Sequence, residues 1–240
     1  INLLSIYTFM KETKVKKDQI PINFSFISEK SFKNYIIGKD SLILDTLIDL
    51  STGSSARTVF LIGKKSTGKS HLCSAVKLLT KKSTSFLDEG CIVGVDYEKI
   101  LTCDLLIIDN IDKIISDHNL EEKLFALVND FILNKRSMLI TSTQPLTNTC
   151  FKLPDLSSRL QWDQVLTIPE LTDINKIHVL QNIAQERGWS LPNNVSDYIM
   201  SHYKRDLYFL CNAINFIDET SLSLKKKITI PFIKKIIQYK

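Results

Sequence analysis

The residues best suited to chemistry stand at positions 63–70, GKKSTGKS. They complete the G-x-x-x-x-G-K-[ST] pattern, whose glycines let backbone N–H groups turn inward on phosphate groups. Lys69 is expected to reach the terminal phosphates and the Ser70 hydroxyl to bind magnesium. A chance glycine turn is the alternative, and the apolar run before the motif and the helical pattern after it weigh against that. The predicted nucleotide contacts in this region are Gly63, Ser66, Thr67, Gly68, Lys69, Ser70 and His71.

A carboxylate follows the apolar run at 105–108. Asp109 ends this run, in a place where an acid can hold magnesium directly or through water. The next residue is Asn110, whose amide can hold a water molecule but cannot accept its proton. Asp112 could substitute for the missing acid. We therefore expect at most weak intrinsic hydrolysis.

Short apolar runs that alternate with amphipathic stretches must position these groups. Strands are predicted at 58–63, 91–95, 105–109, 137–142 and 164–168, and helices at 42–50, 69–82 and 119–135. Such alternation predicts an α/β fold with a mostly parallel sheet covered on both faces.

The pattern changes after Pro169, because the rest of the chain is predicted to be helical. Helical spacing is found at 172–188, 193–203, 205–218 and 231–239. We therefore predict three parts: a flexible tail at 1–28, a nucleotide-binding domain at 29–169 and a helical unit at 170–240.

Composition excludes several classes of protein. The 240 residues carry a net charge of +5 and are 44% hydrophobic, which suits a chain with a real core. Five cysteines without a C-x-x-C pair indicate reduced thiols in a cytoplasmic protein. The four histidines lack metal-ligand spacing, and Trp162 and Trp189 are predicted to be packing residues. No stretch reaches the roughly 18 apolar residues of a membrane-spanning helix, so no membrane contact is expected.

Together these segments resemble the AAA+ module of the DnaA-related family, and more closely its Hda branch, the regulatory inactivators of DnaA. The resemblance spans about residues 19–239 and is most specific in the second half. It implies an AAA+ P-loop fold with a parallel sheet and a small C-terminal helical lid. The segments that carry it are GKKSTGKS (63–70), LLIID (105–109), LPDLSSRLQWD (153–163), LTDINK (171–176), KRDLYFL (204–210) and KKKITIPFIKKII (225–237).

The resemblance also implies roles for individual residues. Lys69, Ser70 and Asp109 would bind ADP or ATP with magnesium, and Arg205 would contact the nucleotide from the lid. Ile36 and Ile37, in NYIIGKDS (34–41), would lie beside the adenine. Thr143 falls at the first sensor position, but the initiators usually carry Asp there and Gln144 replaces their basic residue, so this role stays open.

Arg159 matches the arginine finger of the family, a residue that acts on the nucleotide of a neighbouring molecule. Its apolar neighbours Leu156, Leu160 and Trp162 would fix its direction. A guanidinium aimed at a γ-phosphate neutralises transition-state charge, an effect of about 10³–10⁵ in rate. The alternative is a surface arginine paired with Asp155 or Asp163.

An apolar segment, QIPINF, interrupts the charged tail at 19–24. It resembles the glutamine-led peptide that docks on the DNA polymerase III sliding clamp. An extended peptide can insert alternate apolar side chains into a groove while an amide makes polar contacts. The alternative is an edge strand on its own domain, with Phe26 and Phe32 as core anchors. The residues expected to contact the clamp are Gln19, Ile20, Ile22 and Phe24.

The resemblance implies a regulator of replication initiation that stimulates hydrolysis of ATP bound to DnaA. The chain as given ends at Lys240 without a helix-turn-helix region, so DNA contact is expected to be weak or indirect. Two alternatives stay open: a stand-alone ATPase that resembles a helicase loader, and a non-catalytic adaptor between clamp and initiator. A homodimer is also left open.

Overall fold

Five short strands form one parallel sheet in the computed structural model, which describes residues 30–36, 38, 41–88, 97–114, 118–145, 151 and 153–237. The order across the sheet is β2-β3-β4-β1-β5, and every neighbouring pair is parallel. The carboxyl ends of β1, β3 and β4 therefore meet at one edge, where the phosphate loop and Asp109 begin. The strands are β1 (Thr58–Ile62), β2 (Thr84–Leu87), β3 (Leu105–Ile108), β4 (Ser137–Ser142) and β5 (Gln164–Thr167).

Helices cover the sheet and then form a separate C-terminal group. In the α/β part they are α1 (Leu42–Thr52), α2 (Lys69–Leu79), α3 (Tyr97–Ile100), α4 (Ile111–Ile114), α5 (His118–Leu133) and α6 (Pro154–Leu160). The C-terminal group contains α7 (Asp173–Glu186), α8 (Asn193–His202), α9 (Leu207–Leu224) and α10 (Ile230–Ile236). Across the described ranges, no helix combines the length and the apolar character needed to cross a membrane.

The sheet is covered on both faces, and its inner strands β1, β3 and β4 are mostly apolar and buried. Alternate side chains of a strand point to opposite faces. Phe60 packs with α5 and α6, whereas its neighbours Val59 and Leu61 pack with α1 and α2. The predicted parallel sheet with helices on both faces is thereby confirmed.

Four of the five predicted strands are present: β1, β3 and β4 lie inside the sheet, and β5 forms one edge. The apolar runs of β1, β3 and β4 are completely or almost completely buried. Strand β2, at the other edge, was not predicted, because it begins with two polar residues and only Leu87 in it is buried. The strand predicted at 91–95 lies outside the described residues.

The C-terminal helices pack around an apolar cluster of their own. Leu180, Ile199 and Ile214 are completely buried in it, and Trp189 packs against it, as predicted. Helix α7 begins where the Thr172 side chain accepts a hydrogen bond from the Asn175 N–H, so the sequence marks the start of this unit locally.

A partly buried ion pair joins α9 to the residue that follows α7. Arg187 Nη1 donates to Asp218 Oδ2 over 3.0 Å, and Asp218 is only 6% exposed. Arg187→Ala is expected to lower the free energy of unfolding by about 1–3 kcal/mol, because a buried carboxylate would lose its partner. Urea unfolding followed by circular dichroism would measure this. The control Arg205→Ala breaks an exposed pair with Asp173 and should change stability far less. Equal effects of the two changes would contradict the prediction.

Candidate nucleotide-binding site

The phosphate loop runs from the end of β1 to the start of α2. The Gly63 N–H donates to the Ser142 carbonyl over 3.0 Å, which ties the loop to β4. Ser66 and Gly68 have φ angles of 67° and 94°, and these left-handed turns bend the backbone back on itself. Glycine adopts such a conformation without strain. The sequence-predicted residues 63–70 therefore form the closed loop that the motif requires.

Lys69 spans this loop from the first turn of α2. Its ammonium donates to the carbonyls of Gly63 and Lys64 over 2.7 and 3.1 Å, and the residue is only 5% exposed. Burial lowers the pKa of Lys69, while the nearby charges of Asp112 and Asp109 oppose that shift. Phosphate oxygens would be stronger, charged acceptors than these carbonyls. A bound phosphate group could therefore replace these carbonyls as the acceptor of the Lys69 ammonium.

The predicted magnesium ligands Ser70 and Asp109 lie next to each other. The Ser70 hydroxyl donates to Asp109 Oδ2 over 2.5 Å, and the Thr141 hydroxyl donates to Asp109 Oδ1 over 2.7 Å. Hydroxyl and carboxylate oxygens are the ligand types that magnesium prefers. Sequence reasoning missed Thr141, although a threonine that faces inward within the apolar strand β4 was a usable signal.

Asp112, which could substitute for the acid missing at position 110, lies near the end of β4, and its role in hydrolysis stays a prediction. The Asn110 N–H donates to Thr141 Oγ1 over 2.8 Å, and its φ of 56° turns the chain into α4. Asp112 then accepts hydrogen bonds from the Thr143 hydroxyl and, over 3.0 Å, from the Thr143 N–H. Asp112 therefore connects the end of β4 to helix α4.

An apolar cleft is lined in part by Tyr35 and Gly38, from the segment predicted to lie beside the adenine. Ile36 is half-buried in the segment that enters this cleft, and Ile37 lies outside the described residues. His71 Nε2 lies 2.9 Å from the Ser31 carbonyl, so its side chain contacts the same segment. The cleft is lined by Tyr35, Ile43, Leu44, Ile168, Pro169 and Leu171.

Two lysines of the loop contact residues of the helical unit. Lys64 forms an ion pair with Glu170, and the Lys65 ammonium lies 4.4 Å from the centre of the Tyr208 ring. Arg205, predicted to read the nucleotide, forms an exposed ion pair with Asp173 over 2.8 Å. Its contact with a nucleotide stays a prediction.

Arg159 lies in the last turn of α6, a helix whose apolar residues pack into the core. Leu156 and Leu160 are buried, and the Arg159 guanidinium lies 5.4 Å from the centre of the Phe125 ring on α5. The guanidinium forms no ion pair with any residue that the structure describes. Asp163, one of the two alternative partners, instead accepts a hydrogen bond from the Thr58 N–H over 2.8 Å.

Trp162 is not the packing residue that the sequence predicted. It is 77% exposed, because it follows the end of α6 and lies in the turn before the edge strand β5. The backbone N–H of Trp162 donates to the Arg159 carbonyl over 3.2 Å, and Val165 on β5 is also exposed. We call Arg159, Trp162 and Val165 the arginine surface.

The predicted clamp-binding residues Gln19, Ile20, Ile22 and Phe24 lie outside the described residues, as does Phe26. Phe32, the other alternative core anchor, packs against the apolar cluster between the sheet and helices α1 and α2.

Solved structures with the same fold include several AAA+ proteins. Domain III of the replication initiation protein DnaA from Thermotoga maritima matches with a TM-score of 0.76 at 15% identity, over 88% of this chain and 96% of that one. AMPPCP-bound DnaA from Aquifex aeolicus matches with a TM-score of 0.66 at 18% identity, over 82% and 68%. The RuvB Holliday junction branch migration motor from T. maritima gives 0.65 at 18% identity, over 86% and 70%. The predicted AAA+ architecture is confirmed.

The helical unit is similar to a described protein family. Residues 173–237 match the family model described as "Hda, lid domain". The chain therefore has an AAA+ fold, and its helical unit is similar to the Hda lid domain. The chain is also 27% identical over 226 residues to an uncharacterized protein of Haemophilus influenzae, covering 91% of this chain and 98% of that protein.

Proposed function

We propose that this protein regulates the initiation of chromosomal replication by stimulating hydrolysis of ATP bound to DnaA. It binds ADP or ATP with magnesium in its own phosphate loop and docks on the DNA-loaded sliding clamp through residues 19–24. Arg159 then completes the nucleotide site of the DnaA molecule beside it. DnaA is left with ADP and becomes inactive.

The observation that carries this proposal is the arrangement of the Arg159 side chain. The guanidinium is half-exposed, rests near the Phe125 ring and lacks a carboxylate partner among the described residues. A cation held over an aromatic face keeps its N–H donors available at its edge. Such donors can neutralise the charge that develops on a transferred phosphoryl group.

The rest of the arginine surface supports contact with a protein. Tryptophan and arginine are the residue types most enriched among the energetically dominant residues of interfaces. Trp162 exposes a large aromatic side chain one turn after Arg159, and Val165 on the edge strand β5 is also exposed. We propose that DnaA covers this surface. A second copy of this chain could use it as well, which is how the sequence leaves a homodimer open.

The chain's own nucleotide serves mainly as a structural part in this proposal. Ser70 and Asp109 supply adjacent oxygen atoms of the types that magnesium prefers, and the AMPPCP-bound DnaA supports an adenine nucleotide. Both Asp112 oxygens accept hydrogen bonds from Thr143, so this acid is already engaged. Weak hydrolysis by the chain itself follows.

Two other functions make different predictions. A stand-alone ATPase would hydrolyse ATP without DnaA, and Asp112, whose charge acts on Lys69, is the acid that such an activity would use. A non-catalytic adaptor would need its tail but not Arg159.

Single-turnover hydrolysis separates these functions. DnaA is loaded with labelled ATP, free nucleotide is removed, and clamp on DNA is added with or without this chain. The proposal expects labelled phosphate to be released much faster with the chain. The same rate with and without it would contradict the proposal, and fast turnover by the chain alone would favour the stand-alone ATPase.

The tail makes a separate prediction. Phe24→Ala is expected to weaken clamp binding by about 30-fold or more, because dominant interface residues cost about 2 kcal/mol or more on truncation. Gln19→Ala should act in the same direction. Surface plasmon resonance on immobilised clamp would measure both. Phe26→Ala is the matched control outside the hexapeptide, and a weakening by Phe26→Ala alone would contradict the assignment.

A further inference from the structure

Tyr35 contacts the phosphate loop at two places. Its hydroxyl donates to the Thr67 carbonyl over 3.2 Å. Its ring lies so close to Gly68 that a Cβ at that residue would be 2.6 Å from the ring carbon Cε2. Burial raises the pKa of Tyr35 to about 12, so the hydroxyl stays a donor at neutral pH. Tyr35 therefore contacts the turn that immediately precedes Lys69.

Tyr35 is itself held from two sides. Its ring centre lies 5.4 Å from that of His71, whose Nε2 lies 2.9 Å from the Ser31 carbonyl. Tyr35 and Phe32 also pack against the apolar cluster beneath α1 and α2. Residues 31–35 and the start of α2 thus fix the ring, and the ring can in turn fix the loop.

The hydrogen bond from Tyr35 determines the orientation of the peptide between Thr67 and Gly68. The described residues contain no cis peptide bonds, so the peptide that joins Thr67 to Gly68 is trans. In a planar trans peptide the C=O and the N–H point in opposite directions. Because the Tyr35 hydroxyl holds the Thr67 carbonyl, the Gly68 N–H must point away from Tyr35. A loop whose N–H groups are oriented in advance binds an anion without the cost of ordering them.

We propose that Tyr35 is a positioning residue of the phosphate loop, whose hydroxyl orients the Thr67–Gly68 peptide for phosphate binding. This inference rests on the proposed binding of adenine nucleotide at the loop. It assigns the hydroxyl to the phosphates and not to the base, so its loss should affect ADP and leave adenosine unaffected.

Tyr35→Phe tests the inference, because it removes the hydroxyl and keeps the ring. The Kd of ADP with magnesium and the Kd of adenosine are measured by ligand-observed NMR on the full chain. The ratio of adenosine Kd to ADP Kd should fall about 2- to 10-fold, which is the net value of one hydrogen bond. Tyr198→Phe, a hydroxyl deletion within the lid, should leave the ratio unchanged.

The outcomes separate the inference from the function on which it rests. An unchanged ratio in Tyr35→Phe, including equal weakening of both ligands, overturns the positioning role while nucleotide binding stands. If the parent chain fails to bind ADP, or Lys69→Ala binds it as tightly as the parent, the proposed nucleotide binding fails instead.

Discussion

Arg159→Ala is expected to remove most of the stimulation of DnaA-bound ATP hydrolysis, by a factor on the order of 10³–10⁵. The physical reason is that the guanidinium acts only when charge develops on the transferred phosphoryl group. It lies over Phe125 without a carboxylate partner among the described residues, so its charge is available to a neighbour. Binding of the two proteins should change much less than the rate, because this interaction is made chiefly in the transition state.

Two further variants make this result specific. Arg159→Lys keeps the positive charge but loses the planar fork of donors, so it should recover only a small part of the rate. Arg57→Ala removes an arginine that forms an exposed pair with Asp49, and it should leave stimulation intact. Single-turnover rates at saturating chain would measure all three. Full stimulation by Arg159→Ala would mean that the arginine surface has no catalytic role.

Lys69→Ala is expected to weaken binding of ADP and ATP to the chain itself roughly 30-fold to several thousand-fold. Truncating one partner of a buried charge-assisted contact costs about 2–5 kcal/mol. Lys69 is almost completely buried and donates to the Gly63 and Lys64 carbonyls, whereas Lys64 pairs with Glu170 and Lys65 lies over the Tyr208 ring.

Isothermal titration calorimetry with ADP and magnesium would measure this loss. Lys77→Ala is the matched control, because Lys77 lies exposed on the same helix and contacts the Phe86 ring. Circular dichroism would confirm that both variants fold. Unchanged ADP affinity in Lys69→Ala would show that the nucleotide does not bind at residues 63–70.

The parts of the fold that sequence could predict are those in which local pattern and burial agree. The strands that carry the site are continuous apolar runs, since parallel strands are buried on both faces. The lid helices have clear spacing and local caps such as Thr172. By contrast, β2 lies at the sheet edge with one buried residue, and α6 has only seven residues, too few for a helical period to show.

The site likewise contains residues that local sequence could predict and residues that it could not. The loop at 63–70 and Asp109 were predictable because each follows its own strand directly in sequence. The contacts of Tyr35 with Thr67, Thr141 with Asp109 and Asp112 with Thr143 bridge about 30 residues, and no local spacing encodes them. The exposure of Trp162 depends on where α6 ends, which the sequence left open. The sequence therefore predicted the residues proposed to bind nucleotide, whereas the hydrogen bonds that hold those residues in place depend on the tertiary fold.

Binding to a transition-state analogue tests the central claim most directly, because it reports on complementarity to the reacting phosphoryl group without turnover. DnaA is loaded with ADP and aluminium fluoride, or with ADP alone, and its affinity for this chain is measured with clamp and DNA present. The proposed role of Arg159 predicts much tighter binding to the aluminium fluoride form, and loss of that difference in Arg159→Ala. Equal affinity of the parent chain for the two forms would contradict it.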